Sequence, residues 1–285
     1  MTRRFTRSAQ MLVDVLRDPA GYAPSDGARW TDLISIARAE SLIGTLAYRL
    51  KDVDVPVQVK PILKDAMESA VLARRQALWE ADCARRALAG YGGKIILMKG
   101  TAYVAAGLDA GIGRSIGDLD IMVVQDDLGL VEELLLDAGW EWVKPDPYDD
   151  QYYREYMHEL PPLIHKERDR MIDVHHTTLP LTARPTPDAD AMLDAAEKLE
   201  NGLYIMSPED MVCHCAAHLM ADGDLAGGLR NLWDMHCLLT EFSGASDGFW
   251  DELNNRAQLH QLERALGRSV RHASRLYGTD VPSDW

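Results

Sequence analysis

The chain is short of cysteine, with four in 285 residues, at positions 83, 213, 215 and 237. Four thiols so placed form no disulfide framework, which excludes the small crosslinked scaffolds of secreted proteins. Long apolar runs are also missing. No segment approaches the roughly 18 consecutive apolar residues that a membrane helix needs. The basic start, MTRRFTRSAQ, is not followed by the apolar core of a signal peptide, so the expected compartment is the cytoplasm. Positive charge is in deficit: 30 Lys and Arg stand against 45 Asp and Glu, a net charge of −15. Such a surface repels a phosphate backbone and disfavours long nucleic acid as a partner. Arg74, Arg75, Arg85 and Arg86 do cluster on one expected helix, either as a solvated face or as a local basic patch. Internal repeats, low-complexity tracts and a helical His-Glu-x-x-His are absent, and the last absence leaves a zinc hydrolase little support.

What is present is a globular composition, 47% hydrophobic and 26% charged, arranged in three regions. Residues 1–90 read as helices. The apolar spacing of WTDLISIARAESLIGTLAYRL is helical, and a long Ala- and Leu-rich helix follows Pro61 and stops at Gly90, Gly92 and Gly93. Residues 91–182 change character: KIILM is a buried strand, KGTAYVAAGLDAG a turn into a short helix, and SIGDLDIMVV a second strand. QDDLGLVEELLLDAGW reads as an amphipathic helix with an acidic first turn. Residues 140–166 suggest strand pieces around Pro161-Pro162, and RMIDVHHTTL is another strand. Residues 183–285 return to helix, opened by Ser207 as cap, Pro208, and acidic Glu209 and Asp210.

Three short motifs in the central region carry the chemistry. In GRSIGDLDIMVV, alternation along a strand puts Asp118 and Asp120 on one face and Leu119 and Ile121 on the other. Two like charges so close call for a shared cation, and hard carboxylate oxygens suit Mg²⁺. A strand whose end reaches solvent accommodates the same pattern with both aspartates hydrated. In LMKGTAY, a strand runs through Lys99-Gly100-Thr101 into a helix, a turn at which backbone can approach phosphate. In MIDVHHTTL, Asp173 lies mid-strand and shares its face with His175, and a third inward carboxylate would complete a two-metal site.

Taken in order, these motifs resemble the nucleotidyltransferase superfamily with the polymerase-β-like fold. Most members have Gly-Ser at the first turn. The Lys99-Gly100-Thr101 found here instead resembles one branch, the uncharacterised nucleotidyltransferase family NTP_transf_5. The resemblance runs over residues 30–240 through ILMKGTAYVAAGL, GIGRSIGDLDIMVV, VEELLLDAGWEW, MHELPPLIH, MIDVHHTT, MSPEDMVCHCAAHLM and LRNLWDMHCLL. His176 stands where Trp is usual, and Ser115-Ile116 where Pro-Met is usual. The resemblance implies an α/β (α+β) fold, a polymerase-β-like core with a small mixed sheet between helical N- and C-terminal regions. It implies transfer of a nucleoside monophosphate from a nucleoside triphosphate such as ATP, with Mg²⁺ or Mn²⁺ as cofactor. Asp118, Asp120 and Asp173 would hold the metal, with Asp173 also helping to deprotonate the acceptor. Lys99, Gly100, Thr101 and Arg114 would bind the nucleotide, although Arg114 reads equally as a loop arginine. The acceptor would be a small molecule, a peptide or a protein.

His175 is the preferred additional site residue, and His158, in HELPPL on a lid over the site, is the second. In CHCAAH, His214 and His218 have zinc-binding spacing. Cys213 and Cys215 point about 200° apart on a helix and cannot serve one site. A helix packed on the core explains the same residues. A nucleotide-binding or regulatory protein that keeps the fold without turnover is the alternative to an enzyme.

Overall fold

The computed structural model describes residues 2–221, 228–283 and 285. At its centre lies a mixed seven-stranded sheet of short strands, in the order β3-β4-β5-β2-β1-β7-β6. The strands are β1 (Ile96–Leu97), β2 (Leu119–Met122), β3 (Trp140–Trp142), β4 (Leu163–His165), β5 (Met171–His175), β6 (Glu197–Lys198) and β7 (Tyr204–Ile205). The central strands β1 and β2 are buried at every position because helices cover both faces. β2 pairs antiparallel to β1 and parallel to β5, in a register that sets Asp120 directly against Asp173.

Thirteen helices are assigned among the described residues. On the N-terminal side are α1 (Thr2–Arg17), α2 (Pro19–Tyr22), α3 (Gly27–Ala39), α4 (Ile43–Arg49) and α5 (Lys60–Ala87). Within the sheet region are α6 (Lys99–Ala106), α7 (Leu128–Asp137) and α8 (Pro147–Tyr156). Beyond β5 come α9 (Ala189–Ala195), α10 (Pro208–Ala221), α11 (Gly228–Ala245), α12 (Phe249–Leu259) and α13 (Glu263–Tyr277). The two helical ends meet, since α1 packs on α3 and on α13, and α10 to α13 pack on one another. One continuous apolar core runs from Leu12 through the sheet to Tyr277.

Three details differ from the sequence reading. α8 lies among the aromatics ahead of HELPPLIH, a stretch to which the sequence assigns no element; its charged and aromatic residues are all exposed or half-buried, so no apolar stripe announces it. Asp146 caps it by accepting from the Tyr148 and Asp149 amides. The acidic pair Asp126 and Asp127 forms a separate 3₁₀ turn ahead of α7 rather than the helix's own first turn. The sheet also crosses the expected boundary at residue 182, because the hairpin β6–β7 adds to β1 through β7.

Two buried polar clusters tie the helices together. Gly44 of α4 and Gly113 cross so closely that a Cβ on Gly44 would lie 2.3 Å from the Gly113 carbonyl oxygen. Gly113 itself has φ +69°, a left-handed conformation that favours glycine. Beside this crossing, Arg230 donates to Thr45 Oγ1 at 2.7 Å and to Asp234 Oδ1 at 2.6 Å, and Thr45 donates to the Ile112 carbonyl at 3.1 Å. In the second cluster Asp210, fully buried, accepts from Arg256 and bonds His260 Nε2 at 2.9 Å.

Burial alone would raise the Asp210 pKa, but the His260 and Arg256 contacts outweigh it and hold the carboxyl below its usual value. A depressed carboxylate adds stability above its unfolded pKa, about 3.9, and loses it as pH falls through the lower folded value. Asp210→Asn leaves Arg256 without its charge partner and is expected to cost about 3 kcal/mol at pH 7. Urea melts at pH 7 and pH 3 check this: the gap between wild type and variant should narrow at the acid end.

Candidate active site

β2, β5 and the turn into α6 build the site. Asp118 stands at the exposed entrance to β2, Asp120 is buried within it, and Asp173 is half-buried on β5. The period-2 alternation of both strands turns the three side chains to one face, and one oxygen from each carboxylate lies within 4.8 Å of the others. The chain then turns sharply from β1 into α6. Lys99 takes φ +47°, uncommon for a residue with a side chain, and this turn delivers its ammonium to Asp120 Oδ1 at 2.6 Å.

His175, at the buried end of β5, places Nε2 3.0 Å from the same Oδ1. Asp120 is thus flanked by Lys99 and His175. Burial would raise its pKa, but the His175 hydrogen bond and the Lys99 charge hold it well below the usual carboxylate range. Asp173 has no such partner. Burial, then Asp120 and Glu159, push its pKa up to about 7. Lys99 is disfavoured by burial, yet Asp120, Asp118 and Asp173 together keep its pKa raised.

Gly100 and Thr101, at the start of α6, are both buried. The space beside Gly100 is filled by the chain itself: a Cβ there would lie 2.5 Å from Arg114 Nε and 3.2 Å from Ile116. The glycine is required by the packing of the 114–116 segment. Arg114 is directed to Asp234, with which it forms a buried ion pair, and its guanidinium lies 5.5 Å from the Tyr103 ring centroid. It therefore braces the α6 turn against α11 instead of standing open beside the carboxylates.

His158 and Glu159 do not form a lid. They continue the line of β4 past Pro161 and Pro162 and bond to β5 through His176 N to His158 O and Leu160 N to Val174 O, both at 2.9 Å. Glu159, which the sequence reading passed over, places Oε2 3.3 Å from His175 Nδ1. Burial pushes the His158 pKa down to about 3 and raises that of Glu159. His214 of α10 is buried and its pKa is lowered by burial, then by nearby Lys99 and His218, so α10 reaches the rear of the site. Cys213 and Cys215 diverge, the first toward Asp210 and the second toward Asn231 and Tyr103. The metal-spaced groups among the described residues include neither the cysteines nor His214 and His218.

A cavity of about 870 Å³ lies apart from the carboxylates, between the helical ends, where Arg17, Arg49, Arg74, Trp233 and His236 line it.

A small mixed sheet set among helices thus carries three converging carboxylates. The chain belongs to the uncharacterised nucleotidyltransferase family, whose model matches residues 26–278. Among solved structures it is similar to the solution structure of the antibiotic-resistance factor ANT(2'')-Ia. That likeness has 11% identity and a TM-score of 0.43, and covers 70% of this chain and 99% of the other. No curated protein matches at a significant level.

Lys99 neutralises Asp120 in the metal-free chain, so Lys99→Met is expected to lower stability by about 1–3 kcal/mol. Divalent cations should restore more of the melting temperature in the variant than in wild type, as thermal melts with and without Mg²⁺ would read. Equal responses would show that the lysine and the cation do not compete for Asp120.

Proposed function

We propose that the chain is a divalent-metal-dependent nucleotidyltransferase that moves a nucleoside monophosphate from a nucleoside triphosphate to a small-molecule, peptide or protein acceptor. The observation that carries this reading is the convergence of Asp118, Asp120 and Asp173 beside the α6 turn, within the span that the family model matches. The donor set fits Mg²⁺ or Mn²⁺: all three ligands are hard carboxylate oxygens, and Asp118 leaves the face open to solvent. Burial first, then the neighbouring Asp120 and Glu159 carboxylates, raise the pKa of Asp173, and a cation beside it would relieve the second of these effects.

Bound Mg²⁺ or Mn²⁺ would offset charge on the triphosphate and polarise the attacked phosphoryl group. Lys99 would supply a second positive charge to the phosphates. Gly100 and Thr101 would offer the unpaired amides at the start of α6. Arg114 would act at one remove, by keeping that turn in place through Asp234. The net charge of −15 disfavours a polyanionic acceptor. The alternative is a nucleotide-binding or regulatory protein that keeps the fold without turnover.

Labelled nucleoside triphosphates with Mg²⁺ or Mn²⁺ test the reading directly, through transfer and pyrophosphate release. Asp118→Asn should fold as well as wild type and lose about a hundredfold or more in turnover. It should also lose most of the thermal stabilisation that metal and triphosphate give together. Metal-dependent triphosphate binding with no pyrophosphate release would establish the regulatory reading. Identical stabilisation of wild type and variant would remove Asp118 from the metal site.

A further inference from the structure

Glu159 and two histidines form a second cluster, on the other edge of the His175 ring from Asp120. The chemistry proposed for the three aspartates does not use it. Asp120 engages His175 through Nε2 at 3.0 Å, which turns Nδ1 away from the three aspartates. That Nδ1 is buried and has no hydrogen-bond partner. It faces Glu159 Oε2 at 3.3 Å, and His158 Nε2 lies 3.8 Å from the same oxygen. One donor atom from each of the three residues lies within 4.8 Å of the other two.

A proton between His175 and Glu159 would bridge only two of these atoms, whereas a divalent cation would engage all three. Donors about 2.0–2.1 Å from a tetrahedral ion lie roughly 3.3 Å apart, which is the spacing between Nδ1 and Oε2. The segment is held in place, since His158 O and Leu160 N both bond to the β5 side and the His158 ring lies 5.2 Å from the His175 ring. The side chains of His158 and Glu159, 20% and 19% exposed, leave an entry path. Asp120 behind His175 supplies the carboxylate–histidine support that strengthens a metal-bound imidazole.

We propose that His158, Glu159 and His175 form a transition-metal site, separate from the three aspartates, that takes a borderline ion such as Zn²⁺ in preference to Mg²⁺. Two imidazole nitrogens and one carboxylate suit such an ion, whereas Mg²⁺ favours oxygen and near-octahedral geometry. A fourth position is left for water or a substrate group. The proposal is independent of nucleotidyl transfer.

Co²⁺, a coloured stand-in for Zn²⁺, tests it by absorbance on the full chain with Mg²⁺ in excess. One equivalent of Co²⁺ should bind with the strong visible bands of a low-coordinate ion, and Zn²⁺ should displace it. His158→Gln and the isosteric Glu159→Gln should each weaken binding about 10- to 100-fold, and Asp118→Asn should leave it unchanged. Circular dichroism melts establish that the variants are folded, and with two independent variants one folding failure does not decide the outcome. Absence of the bands in wild type would overturn the proposal. So would bands that survive both variants, or that disappear in Asp118→Asn alone, which would place the ion on the aspartates.

Discussion

Burying the charge of Asp120 is the constraint around which the centre of this molecule is arranged. A buried carboxylate without partners costs several kcal/mol, and the β2–β5 register sets a second carboxylate, Asp173, directly beside it. Two partners compensate, each at a structural cost of its own. Lys99 reaches Asp120 only because the strand-to-helix turn passes through a left-handed residue. His175 reaches it only because β5 continues two residues past Asp173 on the same face. The turn, the register and the length of β5 therefore serve one electrostatic balance.

A second balance holds the frame around the first. Arg114 and Arg230 share Asp234 from opposite sides, and Arg230 carries the link on to Thr45 of α4. This joins the segment before β2, the N-terminal helices and α11 through buried charge. Because Arg114 lies over Gly100, the same cluster fixes the α6 turn that aims Lys99. The helical ends are thus coupled to the site by packing and ion pairs, and not only by covering the sheet.

The parts legible in the sequence are those set by local periodicity. Asp118 and Asp120 could be assigned to one face because strands alternate, whereas Asp173 is joined to them by the order of motifs in the resembled family; Ser207 reads as a cap, and its hydroxyl accepts from Asp210 N three residues on. What was not legible depends on distant partners. Nothing local in GRSIGD says that Arg114 will meet Asp234, 120 residues away. Glu159 looks like a surface glutamate until β5 places His175 beside it. β6 and β7 are two residues each, too short to alternate, and α8 lacks an apolar stripe. The order of the motifs conveyed the architecture more fully than any single residue conveyed its role.

The lysine at the α6 turn also bears on how a metal and a triphosphate would enter together. Lys99 and His175 both contact Asp120 Oδ1, so a cation bound there as proposed would have to displace an ammonium held at 2.6 Å. Under the proposed function, a triphosphate arriving alone would meet the negative charge of Asp118 and Asp173. With both present, the carboxylates would hold the cation and Lys99 would be free to pair with the phosphates, so each unfavourable step would offset the other. Lysine at this turn would thereby make the two proposed ligands depend on one another. Reciprocity follows by linkage: whatever factor the metal adds to triphosphate affinity, the triphosphate adds to the metal's. Replacing Lys99 would then weaken that coupling as well as the resting fold.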